Sequence, residues 1–264
     1  MDIIVAIKQV PDLDGVPLGQ DRGAGIPIND EATDLARDRL GFVTNPFDEW
    51  ALEEALLLKE VTDGSVTVVA LDDSGIDQAL YRAIALGADR AVKLVGTGVA
   101  WIDSHRRAGL MGSWIREQLY DLILSGVQAP DDLDGQLPGL LAAGLGHPFA
   151  SVVVAVEATE TGVMVTQEFG GGRIGRVELA LPAVLGIQVS LRDPRYVSDM
   201  RIGLASMGGG IEEVLLDAAG AGSGLTVRRV FTPEASRRAA MLPASADEAA
   251  DAILGLLRDR GLLA

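Results

Sequence analysis

The sequence predicts an α/β fold with a doubly wound, mostly parallel sheet, an antiparallel extension of that sheet and a C-terminal helical arm. Two observations carry this prediction. Short, nearly continuous apolar runs, typical of strands buried on both faces, alternate with segments whose apolar residues recur at helical spacing. The connections between them are mostly short, which favours right-handed crossovers and parallel pairing.

Four strands and three intervening helices are predicted in the first half of the chain. The strands are Ile3–Val10, Val66–Leu71, Ala91–Val95 and Leu122–Gly126, and the helices follow Asn45, Ile76 and Ser104. Between the first strand and the first helix lies a Gly-, Pro- and Asp-rich stretch from about Leu13 to Thr44. Because it is longer than an ordinary connection, we expect a functional loop or a small hairpin there.

The second half changes character. Residues Ser151–Glu157, Val163–Glu168 and Arg176–Leu181 predict strands joined by short turns, which form the antiparallel extension. Beyond Tyr196, glycine-rich stretches at residues 208–210 and 218–224 resemble linkers. Ser245–Glu248 has capping-box spacing before a short helix. We therefore predict a core at residues 1–196 and, at 197–264, a docking loop, a linker and a helical arm.

Composition narrows the classes of function. The 264 residues carry a formal net charge of −16, which disfavours nucleic acid and anionic lipid as partners. No window approaches the length of a membrane span, and no basic segment precedes the first strand, so we expect a cytoplasmic protein without membrane insertion. The chain has no cysteine, which excludes disulfides and thiolate chemistry.

Self-contained catalysis is not predicted. No G-x-G-x-x-G follows the first strand, and neither a Walker A motif nor a G-x-S-x-G elbow occurs. The two histidines, His105 and His147, lack any supporting motif, and surface or capping positions account for them. We expect no catalytic residue and no metal site.

Polar loops at one edge of the predicted sheet favour a ligand site. Asp72–Gly75 follows the second strand, Asp131–Gln136 follows the fourth, and Asn45–Phe47 opens a helix. Doubly wound sheets bind ligands at the carboxyl ends of their strands, and helix N-termini bind phosphate. Taken singly, each loop is also compatible with a solvated turn. Their joint position at one edge favours binding.

Several segments, in order, resemble the β subunit of electron-transfer flavoproteins. The resemblance covers about residues 1–196. It is carried by Val5–Asp12, Asn45–Glu49 with the helix that follows, Ala83–Ala91, Gln128–Gln136, Pro148–Ser151, Leu181–Val184 and Asp193–Tyr196.

The resemblance implies a Rossmann-like fold and a heterodimer with an α subunit that holds most of the FAD. The β chain would hold AMP, or a second FAD in electron-bifurcating members, and would pass electrons from a flavin dehydrogenase to a quinone reductase or a ferredoxin-type acceptor. Phe47 would approach the partner's flavin. The implied nucleotide contacts are Ala6, Asn45, Pro46, Phe47, Asp48, Asp73, Val127, Gln128, Asp131, Asp132, Asp134, Gly135, Gln136 and Leu137.

The chain departs from the family pattern in two places. Gly135 and Gln136 are followed by Leu137, which lacks a hydroxyl, and by Pro138, which has no N–H to donate to phosphate. The segment after Tyr196 lacks the family's basic stretch. Met200 or Ile202 is the candidate apolar anchor for the dehydrogenase.

Three alternatives remain open from the sequence. Val10–Asp12 resembles bifurcating members, whereas Asn45–Glu49 resembles AMP-holding members, which we favour. The altered loops are also compatible with a nucleotide-binding structural or regulatory subunit that has lost electron transfer. A free-standing hydrolase that uses the acidic loops lacks an activated nucleophile.

Overall fold

The computed structural model describes residues 1–12, 26–96, 102–216, 227–231 and 241–263. The described residues up to Phe231 belong to one compact unit, and residues 241–263 belong to a second. Two predicted segments lie outside the described residues. They are residues 13–25, which begin the long predicted loop, and the predicted linker at 218–224. The predicted boundary between residues 196 and 197 stays a prediction.

Eleven strands and six helices are seen in the described part of the chain. The strands are β1 (Asp2–Ala6), β2 (Gln9–Pro11), β3 (Phe42–Thr44), β4 (Ser65–Leu71), β5 (Arg90–Val95), β6 (Leu122–Gly126), β7 (Phe149–Ala158), β8 (Gly162–Phe169), β9 (Arg173–Ala180), β10 (Ala183–Ile187) and β11 (Ile211–Leu215). The helices are α1 (Pro46–Thr62), α2 (Ile76–Leu86), α3 (Ser104–Ile115), α4 (Leu137–Leu145), α5 (Asp199–Gly208) and α6 (Ala246–Asp259).

A mostly parallel sheet confirms the predicted α/β class. Its strand order is β11-β5-β4-β1-β6-β10-β7-β8-β9. Every neighbouring pair from β11 to β7 is parallel, and β7-β8 and β8-β9 are antiparallel. The chain runs outward from β1 through β4 and β5 and then returns to place β6 on the other side of β1. The sheet therefore has its topological switch point between β1 and β6.

Apolar helix faces cover both sides of this sheet. Helices α1 and α2 contribute Leu52, Leu56 and Leu80 to a core on one side. Helices α3 and α4 contribute Met111 and Leu141 to a core on the other side. Because parallel strands are covered on both faces, their apolar runs are nearly continuous, as the sequence predicts.

The first strand is shorter than predicted. The run Ile3–Val10 was expected to form one strand, but β1 ends at Ala6, and Gln9–Pro11 pairs with β3 in a separate two-stranded antiparallel sheet. The physical reason is a change of acceptor: Ile7 N still donates to Val69 O at 3.0 Å, whereas Lys8 N donates to Asp48 Oδ2 at 2.8 Å. A small hairpin was one expectation for residues 13–44. Of the two strands in this small sheet, β3 lies within that range and β2 precedes it.

The antiparallel extension formed by β7, β8 and β9 is confirmed, and β10 was not predicted. β10 inserts between β6 and β7 and is parallel to both. The terminal helix is also seen as α6, where Ser245 Oγ accepts from Glu248 N at 3.3 Å.

The segment after Tyr196 was expected to be a loop and is regular instead. It forms α5, which packs on α2, and β11, which pairs in parallel with β5 at the sheet edge. Gly209 and Gly210 have φ angles of 68° and 112°. These left-handed values suit glycine and let the chain turn directly from helix to strand.

Candidate functional site

A pocket of about 340 Å³, part of it open to solvent, lies at the switch point of the sheet. It is bounded by the chain that follows β1, the starts of α1 and α3, and the loop between β6 and α4. Its lining residues are Ile7, Lys8, Asn45, Asp48, Ser104, Arg107, Gly126, Val127, Gln128, Ala129, Asp132, Asp134, Gly135, Gln136, Leu137 and Pro138. Crevices of this kind are the usual ligand sites of doubly wound sheets.

Asp48 joins three segments at the base of the pocket. Its Oδ2 accepts the N–H of Lys8 at 2.8 Å, and its Oδ1 accepts the N–H of Gly126 at 2.8 Å. The start of α1 is thereby fixed to the ends of β1 and β6. A Cβ on Gly126 would lie 2.6 Å from Asp48 Oδ1, so only glycine fits this close approach.

Burial raises the pKa of Asp48 to about 6. The two backbone hydrogen bonds, the Lys8 charge and a hydrogen bond from Asn45 oppose this rise by stabilising the carboxylate. The desolvation cost is larger than their sum. Asp48 therefore titrates within reach of neutral pH.

Lys8 holds the loop that follows β6. Its Nζ lies 2.6 Å from Asp131 Oδ1 and 2.8 Å from Asp132 Oδ2, and its side chain is only 10% exposed. Removal of Lys8 would leave two neighbouring carboxylates without the cation that they share. Lys8 thus connects the end of the first strand to the far wall of the pocket.

The Asn45 side chain crosses the pocket rather than capping its own helix. Its Nδ2 donates to Gln128 O at 3.0 Å, and no side-chain capping bond forms at the start of α1. Its Oδ1 is buried and has no hydrogen-bond partner among the described residues, although Asn45 is only 2% exposed. A buried acceptor without a donor is costly, so this oxygen is a point where a ligand donor would be stabilising.

The loop between β6 and α4 turns through two residues with left-handed backbone angles. Leu133 has a φ of 54°, which is unfavourable for a leucine, and Gly135 has a φ of 61°, which glycine adopts freely. Asp132 Oδ1 accepts the N–H of Asp134 at 3.4 Å, and Asp134 Oδ1 accepts that of Gln136 at 3.2 Å. These local bonds fold the loop back toward the start of α4.

Nine of the fourteen residues expected to contact a nucleotide line this pocket: Asn45, Asp48, Val127, Gln128, Asp132, Asp134, Gly135, Gln136 and Leu137. The other five do not line it. Ala6 is buried within β1, Pro46 is exposed and Phe47 is half-buried at the start of α1. Asp131 binds Lys8, and Asp73 Oδ1 binds Arg37 Nη1 at 2.8 Å. Direct nucleotide contact by any of the fourteen stays a prediction.

Seven lining residues are not among those fourteen: Ile7, Lys8, Ser104, Arg107, Gly126, Ala129 and Pro138. Lys8 gave a usable signal, because a lysine at the end of an otherwise apolar strand needs a partner. Arg107 gave none, since it lies on the helix whose apolar pattern was weakest. Only the packing of α3 beside α4 brings Arg107 to the pocket.

The two candidate docking residues lie on α5. Met200 is 73% exposed, whereas Ile202 is half-buried. Leu204 and Met207 are 61% and 86% exposed and follow Met200 at helical spacing. We call the exposed stripe of Met200, Leu204 and Met207 the α5 stripe.

No group of three or more His, Cys, Asp or Glu side chains that could hold a metal ion is found among the described residues. No helix in that part of the chain is long and apolar enough to cross a membrane.

Comparisons with known proteins agree on one family. The family model for the electron transfer flavoprotein domain matches residues 33–219. The chain is 30% identical to the electron transfer flavoprotein subunit beta of Methylophilus methylotrophus over 98% of both chains. It is 34% identical to that of Syntrophomonas wolfei over 75% of this chain and 73% of the relative. It is 28% identical to the caffeyl-CoA reductase-Etf complex subunit CarD of Acetobacterium woodii, over 75% of this chain and 72% of that one. The chain belongs to the electron transfer flavoprotein β-subunit family.

Proposed function

We propose that this chain pairs with an electron-transfer flavoprotein α subunit and holds an adenine nucleotide in the pocket between β1 and β6. The observation that carries the proposal is the buried Oδ1 of Asn45, which has no donor among the described residues. The amino group of adenine and the hydroxyls of ribose are donors of the kind that this oxygen lacks.

We favour AMP over a second FAD as the ligand, because the start of α1, Asn45–Glu49, resembles the AMP-holding members of the family.

Electron transfer would rely on flavin rather than on side chains of this chain. The family implies FAD mainly on the α subunit, a flavin dehydrogenase as donor, and a quinone reductase or a ferredoxin-type acceptor. The CarD relative is named as a subunit of a reductase–Etf complex, which supports work within a larger assembly. Phe47, at the start of α1, would approach the partner's flavin. The cytoplasm is the proposed location.

The α5 stripe is the proposed contact for the dehydrogenase. Its methionines are flexible and polarisable, which suits a surface that meets a partner transiently. Of the two candidate anchors, the exposed Met200 fits this role better than the half-buried Ile202.

The direct test is to co-express the chain with its α subunit, purify the complex and identify the released nucleotides by mass. One AMP and one FAD per heterodimer would support the proposal. Two FAD would place the complex among bifurcating members. No nucleotide beyond the α subunit's FAD would contradict a nucleotide site in this chain.

Asn45→Ala provides a matched variant. Because it removes both the free acceptor and the bond to Gln128, we expect AMP retained per FAD to fall by about tenfold or more. Asn29→Ala, at the chain's other asparagine, is the control, since the Asn29 side chain bonds only to Thr33 and Asp34 of its own turn among the described residues. Equal AMP content in both variants would contradict a role for Asn45.

One structural observation favours the alternative of a subunit that has lost electron transfer. Pro138, the second residue of α4, lines the pocket and offers no N–H to a phosphate. Reduction of the purified complex's flavin by a flavin dehydrogenase would exclude this alternative. A complex that holds nucleotide but whose flavin no dehydrogenase reduces would favour it.

A further inference from the structure

Arg107 lines the pocket, and its side chain has no close partner in the part of the chain that the structure describes. Its backbone N–H donates to Asp103 O at 2.9 Å within the first turn of α3. The residue lines the pocket, yet its side chain makes no hydrogen bond and no ion pair with any described residue. Five N–H donors at the edge of a crevice are therefore left without an acceptor from the described chain.

The carboxylates near Arg107 have closer partners of their own. Asp131 and Asp132 bind Lys8 at 2.6 and 2.8 Å. Asp73 binds Arg37 at 2.8 Å, and Asp48 accepts two backbone N–H groups. These four acids act on Arg107 only through longer-range attraction, which raises its pKa, while burial lowers that pKa by the larger amount.

The neighbouring helix terminus is a weak anion site by itself. Helix α4 begins with Leu137 and Pro138, so its first turn has one N–H fewer and no hydroxyl. Helices α3 and α4 pack against each other, and both Arg107 and Pro138 line the pocket. Arg107 therefore comes from a helix that packs against α4, whose first turn offers little to an anion.

We propose that Arg107 binds the phosphate of the ligand in this pocket and sets its preference for a nucleotide over a nucleoside. The inference rests on the proposed nucleotide site and adds the residue that recognises charge. A planar guanidinium matches two phosphate oxygens with parallel N–H···O bonds, which a lysine cannot do. Asn45, with its buried free Oδ1, would meet the uncharged part of the same ligand.

The test compares a nucleotide with its nucleoside. The heterodimer, cleared of nucleotide in this chain by diafiltration, is titrated calorimetrically with AMP, FAD and adenosine. We expect AMP to bind at least tenfold more tightly than adenosine to the wild-type complex. Arg107→Gln should weaken AMP by about 10- to 100-fold, as expected for loss of charge-assisted bonds, and leave adenosine unchanged. Arg107→Lys should be intermediate, because it keeps the charge and loses the fork.

A second arginine, at the other end of the same helix, supplies the control. Arg116 directly follows α3 and donates to Gly144 O at 2.5 Å, so Arg116→Gln should alter neither affinity. If Arg107 merely balances the nearby acids, Arg107→Gln will change AMP and adenosine binding by the same factor, which overturns the inference. Equal affinity of the wild-type complex for AMP and adenosine, or no binding of either, overturns it as well.

The remaining outcomes separate this inference from the proposed function. A tenfold or greater preference for FAD over adenosine that disappears in Arg107→Gln supports the same role with the diphosphate of a second FAD. If the AMP preference depends on Arg107 but no dehydrogenase reduces the complex's flavin, the phosphate site stands and electron transfer fails. If flavin reduction is normal and the AMP preference survives Arg107→Gln, the function stands and this inference fails.

Discussion

Asp48 shows how one side chain can be structural and titratable at once. It fixes α1 to β1 and β6 through two backbone N–H groups, and it is buried where the charged form is poorly solvated. Its pKa of about 6 in the fold exceeds the ordinary value of 3.8. The folded state therefore binds more protons than the unfolded state between these values.

This difference predicts a stability change with pH. A group whose folded pKa is raised stabilises the fold at low pH and loses that contribution as pH rises through the folded pKa. From pH 5 to pH 7, Asp48 should lower the free energy of unfolding by about 1 kcal/mol. In Asp48→Asn complexes this part of the pH dependence should disappear, measured as the wild-type-minus-variant difference in unfolding free energy.

The control for this prediction lies at the other end of α1. Asp63 has a φ of 51°, which asparagine tolerates, so Asp63→Asn makes the same chemical change at a position away from the pocket. Glu54, whose pKa burial also raises, stays present in both variants and cancels in the difference. A wild-type-minus-Asp48→Asn difference that is constant from pH 5 to pH 7 would contradict the assignment.

At the scale of elements, helix α5 combines a fixed position with the exposed apolar side chains of the α5 stripe. The helix packs on α2 and leads directly into the edge strand β11, so its position is fixed on both sides. Lys93 on β5 ties this edge further, with its Nζ 2.7 Å from Glu213 Oε1. A firmly held helix with an exposed apolar stripe can present that stripe to a partner at little cost in ordering.

We predict that Met200→Glu slows reduction of the complex by a flavin dehydrogenase at least fivefold. The charge would have to be desolvated on docking, whereas the nucleotide pocket lies elsewhere and FAD and AMP contents should not change. Stopped-flow reduction at several dehydrogenase concentrations measures the effect. Met241→Glu, the same change at a methionine that is 92% exposed outside α5, is the control. Equal rates in the two variants would argue against the α5 stripe as the docking surface.

Arg195 belongs to one of the segments that resemble the family, and its contacts are structural ion pairs with α1. Its Nη2 lies 2.9 Å from Glu53 Oε1, and its Nη1 lies 2.8 Å from Glu60 Oε1. Both acids belong to α1, so this bond network holds the segment before α5 against the helix that opens the pocket. The motif Asp193–Tyr196 is thereby given a structural role.

At the scale of the whole molecule, the antiparallel extension exposes large apolar side chains. Phe149, Phe169 and Ile174 are 42%, 47% and 68% exposed on β7, β8 and β9. An exposed apolar surface of this kind is expected to be covered by a partner or to promote self-association. We propose the α subunit as that partner.

The chain expressed alone should therefore aggregate or form mixed oligomers, and co-expression with the α subunit should give a single 1:1 species. Size-exclusion chromatography with light scattering on matched preparations measures this. A monodisperse monomer of the chain alone, stable at concentrations of about 0.1 mM, would contradict an obligate role for the partner.

The sequence by itself determined the α/β class, the parallel core strands, the antiparallel extension and the terminal helix. These follow from local periodicity, because a strand buried on both faces and an amphipathic helix each carry their pattern within a few residues. Resemblance also placed Asn45, Asp48 and the loop from Val127 to Leu137, whose members largely line one pocket.

Only the tertiary structure decided what depends on distant partners. β1 ends where the Lys8 N–H donates to Asp48, forty residues away, and β10 returns from the antiparallel extension to insert between β6 and β7. Arg107 reaches the pocket because α3 packs beside α4, and its lack of a partner among the described residues depends on which acids Lys8 and Arg37 already bind. No local pattern encodes these contacts, because they depend on which polar groups, distant in the chain, meet when the sheet and its helices pack together.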